Sequence, residues 1–155
     1  MSDKKIAIEL GLGVNDFKFG MTRDMLKDAV GKPDEIEDND EGIDGEGKIE
    51  VWHYDEYELS VEFIEGNDWR LSTIAVNSED VLLQSLPVMG KKVGEIENLI
   101  DVLNLGEHQT ETLDLDDVEE HEITMITVFE AGLNFWFEAG ILTEIQLTPV
   151  EEEEE

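Results

Sequence analysis

Cysteine is absent from the 155 residues, so no disulfide, thiolate metal site or lipidated cysteine can form. Basic residues are scarce, with 10 Lys and Arg against 41 Asp and Glu and a formal charge of −31. Such a surface repels phosphate, which argues against a nucleic-acid binder. It repels an anionic membrane surface equally. No apolar run approaches the ~20 residues of a membrane-spanning helix. Lys4 and Lys5 precede Ile6-Ala7-Ile8, but Glu9 ends that run, so the start does not read as a signal peptide. These absences fit a cytoplasmic location.

Lys outnumbers Arg eight to two, and Ile outnumbers Ala 13 to 5, which is not the composition expected of a salt-adapted protein. Hydrophobic residues make up 40% of the chain, too many for a disordered acidic polymer. The length suits one ordinary domain or two small ones. Roughly two-thirds of the unfolded surface can be buried at this size.

The chain resembles itself at an offset of 74 residues. Leu59, Val61, Phe63 and Gly66 lie over Leu133, Phe135, Phe137 and Gly140. Upstream, Val51-Trp-His-Tyr54 lies over Met125-Ile-Thr-Val128, and Gly20 over Gly94. A tandem repeat follows as the expectation. Each copy reads as one helix and then three strands. Thr22 is a suitable N-cap for a helix to Val30, with Met25, Leu26, Ala29 and Val30 on one stripe. Gly31 and Pro33 end it. A second helix is expected from Glu95 to Asn104. Strand alternation at Leu59-Val61-Phe63 and Leu133-Phe135-Phe137 predicts antiparallel sheets with one covered face. Turns are expected at Asp55-Glu56, Gly66-Asn67-Asp68, Glu130-Ala-Gly132 and Ala139-Gly140.

The fold class expected is therefore α+β, a tandem of two units, each a helix followed by a three-stranded antiparallel sheet. Residues 1–76 form the first unit, 77–93 a packed connection, 94–150 the second unit, and 151–155 a disordered glutamate tail. The two units are expected to pack on each other, with Trp136 covered by that contact.

Gly20-Met21-Thr22 followed by Val30-Gly31-Lys32-Pro33 resembles the helix start and helix end of the BamE-like small lipoproteins. That group shares its plan with the beta-lactamase inhibitor protein, a tandem of two such units. The resemblance implies a scaffold used for binding other proteins. The missing lipidated cysteine means that an envelope role is not implied.

Two acidic segments stand between each helix and its first strand. Residues 33–47 hold Asp34, Glu35, Glu37, Asp38, Asp40, Glu41, Asp44 and Glu46. Residues 107–122 hold Glu107, Glu111, Asp114, Asp116, Asp117, Glu119, Glu120 and Glu122. Both read as loops that share one rim. Crowded like charges repel, and a cationic partner relieves the repulsion. A calcium loop is the rival. Starting at Asp40, the twelfth position is Val51, and starting at Asp38 it is Ile49, where a bidentate Glu is required. His53, His108 and His121 are too separated for a transition-metal site, and His53 reads as structural.

Catalytic signatures are missing. There is no Gly-x-Ser-x-Gly, and Gly11-Leu-Gly13 lacks the third glycine of a dinucleotide fingerprint. The expectation is a non-enzymatic acidic protein-binding module without metal or cofactor, such as an immunity-type inhibitor of a basic nuclease toxin. The partner-binding residues expected are Asp38, Asp40, Glu41, Asp44, Asp114, Asp116, Asp117 and Glu119, with Tyr57 and Trp69 as aromatic anchors. A divalent-cation or small-ligand-binding domain is the alternative, and a structural domain with no sharp site is another.

Overall fold

Strand alternation sets most of the architecture. The computed structural model describes residues 6–10, 12–39, 48–84, 86–114 and 122–148. Its strands are β1 (Ile6–Glu9), β2 (Gly13–Val14), β3 (Phe17–Lys18), β4 (Glu35–Asn39), β5 (Ile49–Tyr54), β6 (Leu59–Ile64) and β7 (Arg70–Val76). They continue with β8 (Val81–Leu83), β9 (Leu86–Pro87), β10 (His108–Asp114), β11 (Glu122–Val128), β12 (Leu133–Glu138) and β13 (Ile141–Leu147). The helices are α1 (Arg23–Val30) and α2 (Val93–Val102).

Eight strands form one sheet in the order β10-β11-β12-β13-β7-β6-β5-β4. Leu59, Val61 and Phe63 on β6 and Leu133, Phe135 and Phe137 on β12 are buried, while their neighbours on the other face are more open. Leu71 and Ile74 both face the core although three residues apart, because the β6–β7 ladder shifts register between Glu62 and Phe63. The β12–β13 ladder shifts between Trp136 and Phe137, and Leu142 and Ile145 both face inward in the same way. The centre of the sheet is the β7–β13 pair, where Ile74, Ala75 and Val76 oppose Leu147, Gln146 and Ile145.

A second sheet runs β3-β2-β1-β8-β9, with β8 parallel to β1. Phe17 joins it to the large sheet, edge-on to Tyr54 at 5.2 Å. Both helices bury one narrow stripe, Leu26 on α1 and Ile96 and Ile100 on α2. Gly20 and Gly90 precede them, each with positive φ (89° and 87°). Each donates its N–H to a core strand, to the carbonyls of Leu71 and Leu142. The junction before α2 is thus built at Gly90, not at Gly94.

Several expectations are corrected. The protein is sheet-dominated, with two large sheets, and is not an α+β tandem of two helix-plus-three-strand units. The acidic segments are not loops throughout, because they contain β4 and β10. β4 and β10 are edge strands, and the exposed side chains of residues 35–38 and 109–112 hide the alternation. Within residues 77–93, expected as a packed connection, β8 and β9 help to build the second sheet. The two halves of the large sheet meet edge to edge at β7–β13 and not face to face, and Trp136 is half-buried. Met25 and Ala29 are exposed, so the α1 stripe is narrower than its spacing implied.

The shared rim is corrected as well. Every neighbouring pair in the large sheet is antiparallel. β4 and β10 therefore run in opposite directions at opposite edges. The chain leaves them at opposite ends of the sheet, so the two acidic segments begin at diagonal corners. Residues 40–47, 115–121 and 149–155 lie outside the described residues.

Candidate docking groove

One corner gathers aromatic and charged side chains. Thr22 caps α1, its Oγ1 accepting from the Met25 N–H at 3.2 Å, which satisfies a free amide of the first turn. That start places Arg23 and Lys27 one turn apart on the same side. β5 contributes Glu50 and Trp52, two residues apart and so on one face. β4 lays Asp38 opposite Glu50 and Ile36 opposite Trp52. The tight β6–β7 turn holds Asp68 and Trp69 at φ of 58° and 56°, a left-handed conformation that few non-glycine residues adopt.

These residues line a groove of about 440 Å³ between α1 and β4. The Arg23 guanidinium lies 4.4 Å from the Trp69 ring centroid and 3.2 Å from Glu50 Oε2. Trp52 Nε1 donates to Glu50 Oε1 at 2.8 Å. Lys27 Nζ stands 5.9 Å from the Trp52 ring. Glu50 thus ties the helix to Trp52 through charge-assisted bonds that exceed neutral ones in strength, and Arg23 carries the contact on to Trp69. Each cation–ring contact adds about 0.5–1 kcal/mol at such exposure. Trp69 also walls a second groove, of about 360 Å³, with Asp38, Lys48, Ile49 and Glu50.

Of the residues expected to bind a partner, Asp38 and Trp69 come together in this second groove. Tyr57 does not join them. It lies half-buried beyond the other end of β5, edge-on to Phe17 at 5.4 Å. Asp114 ends β10 on the opposite edge of the sheet. Asp40, Glu41, Asp44, Asp116, Asp117 and Glu119 lie outside the described residues. Sequence reasoning missed Arg23, Lys27, Glu50 and Trp52. The available signal was the i, i+4 spacing of two rare cations beside an i, i+2 Glu–Trp pair. Phe129, 68% exposed before the β11–β12 connection, was missed too.

His53 bridges three strands. His53 Nδ1 lies 2.8 Å from Ser60 Oγ and its Nε2 3.1 Å from Glu37 Oε1, linking β4, β5 and β6. The row Ser60, His53 and Glu37 thus ties three neighbouring strands on the face away from Leu59 and Val61. His108 lies 3.7 Å from Glu97 on α2. His121 is outside the described residues. Among the described residues no three His, Asp or Glu converge as a metal site would need.

Two groups are shifted from their ordinary ionisation. Burial pushes the Tyr54 hydroxyl up to about 12, helped by the charge of Asp34 and by Tyr57. Its O–H donates to the Gly31 carbonyl at 3.0 Å, which also favours the neutral form. Burial likewise raises Glu62, on the sheet face away from Leu59 and Val61.

Among the described residues no helix is long and apolar enough to cross a membrane. No family model matches the chain, and no curated protein or solved structure is significantly similar to it. The resemblance to BamE-like lipoproteins is therefore corrected. Thr22 acts as an N-cap, and Gly31 sits at φ 95° donating to Lys27 O. Any helix with these ends uses the same residue types.

Proposed function

We propose that this chain is a non-enzymatic acidic module that docks a basic protein. The observation that carries this reading is the meeting of Asp38 and Trp69 on one groove, in a chain of net charge −31. A negative field steers a basic partner toward the surface, and a partly buried indole offers the apolar anchor that long-range charge cannot supply. Inhibition of a basic nuclease toxin is one form this docking would take. Because the acidic segments begin at diagonal corners, such an inhibitor engages the partner through the β4 corner alone.

Immobilised full-length chain tests this in a pull-down at low salt and at ~0.5 M salt, where the screening length falls to a few Å. A basic protein is expected to be retained at low salt and released at high salt. Trp69→Ala is expected to weaken its retention. Capture of no basic protein at low salt would overturn the reading.

A further inference from the structure

β4 combines a free backbone edge, an alternating set of exposed side chains and an adjoining groove. It ends the large sheet, and among the described residues its ladder is to β5 alone. The other row of its N–H and C=O groups can template a further strand. Ile36 and Asp38 stand on the α1 side, opposite Trp52 and Glu50, while Glu35 and Glu37 stand on the outer side. All four are exposed, Ile36 at 49%. On the α1 side the 440 Å³ groove, with its Trp52 and Trp69 walls, is lined by both the edge and the helix.

The other edge differs. On β10, Thr110 Oγ1 donates to Glu97 of α2 at 2.8 Å, and His108 lies 3.7 Å from the same carboxylate. The helix side of that edge is bridged.

We infer that β4 receives an extended basic peptide segment of the partner as an added strand, with aliphatic side chains over the tryptophan-walled groove and lysine or arginine against Glu35 and Glu37. This rests on the proposed docking function and names the form of the docking segment. Charge complementarity selects the occupant. A second copy of this chain would bring Glu35, Glu37 and Asp38 against their own kind, and like charges across a ladder are destabilising. A strand alternating aliphatic and cationic residues matches both faces of β4.

The probe is a nine-residue peptide alternating lysine and valine, titrated into isotopically labelled full-length chain at low salt. Amide shifts centred on Ile36, Glu37 and Asp38 are expected. N-methylation of alternate peptide amides keeps the charge and removes backbone donors, and it is expected to weaken binding at least tenfold. The exposed double substitution Glu35→Lys with Glu37→Lys is expected to do the same. Equal binding of the methylated peptide, shifts centred elsewhere, no binding, or dimerisation of the chain through β4 would each overturn the inference. A successful pull-down beside a failed β4 titration removes the strand addition alone. A failed pull-down removes the docking function on which it rests.

Discussion

Glu50 shows how single residues set the local chemistry, since one carboxylate orients Arg23 and Trp52 together. Tyr54 and Glu62 make stability depend on pH, and both signs follow from linkage. The Tyr54 hydroxyl titrates at about 12 in the fold, against an ordinary value near ~10. Its neutral form is favoured by folding. The stability it contributes is complete below pH ~10 and is lost as pH rises toward ~12. Denaturant midpoints measured from pH 8 to 11.5 are expected to fall, and Tyr54→Phe is expected to flatten that part of the fall. Glu62 is also raised, by burial, so its neutral form stabilises the fold and its ionised form at pH 7 does not. Glu62→Gln is expected to raise the melting temperature at pH 7, with the gain vanishing near pH 4. Gly13 is the backbone counterpart. At φ +143° an added Cβ would lie 2.0 Å from the Phe17 carbonyl oxygen, and Gly13→Ala is expected to cost at least about 2 kcal/mol in chemical denaturation.

At the scale of elements, legibility followed burial. β6 and β12 were readable because Leu59-Val61-Phe63 and Leu133-Phe135-Phe137 alternate with polar residues on a half-covered sheet. α1 was readable through Thr22 and Gly31, whose roles are local. β4 and β10 were not, because an edge strand exposes most of its side chains and acidic residues then replace the apolar half of the pattern. β1, β2 and β3 were missed for another reason. They are two to four residues long, and tertiary pairing rather than periodicity makes them strands. At the site, Asp38 and Trp69 could be singled out from sequence, but nothing local brings the β6–β7 turn to the start of α1. The central ladder has a quantitative test. Ile145 is fully buried beside β7, so Ile145→Ala is expected to cost about 2–5 kcal/mol. Phe129→Ala, at an exposed position, is expected to stay within about 0.5 kcal/mol.

For the whole molecule, the electrostatic field outweighs any single contact. Among the described residues, attractive pairs such as Arg23–Glu50 and Lys18–Glu9 stand against a chain charge of −31. A solvent-exposed pair such as Lys18–Glu9 contributes only about 0–1 kcal/mol. Folding brings the acids closer together than the unfolded chain does, so self-repulsion penalises the native state. Screening weakens that penalty, and the Debye length drops from ~30 Å at 0.01 M salt to a few Å at 0.5 M. The melting temperature at pH 7 is therefore expected to rise between these sodium chloride concentrations by roughly 3 °C or more, the equivalent of about 1 kcal/mol for a domain of this size. Calcium at matched ionic strength separates screening from site binding. An equal rise means that charge density alone is at work, and a larger one means that the acidic segments bind the ion. A flat or falling melting temperature in sodium chloride would show that the negative charges are already compensated in the fold, and the electrostatic basis for docking a basic partner would go with it.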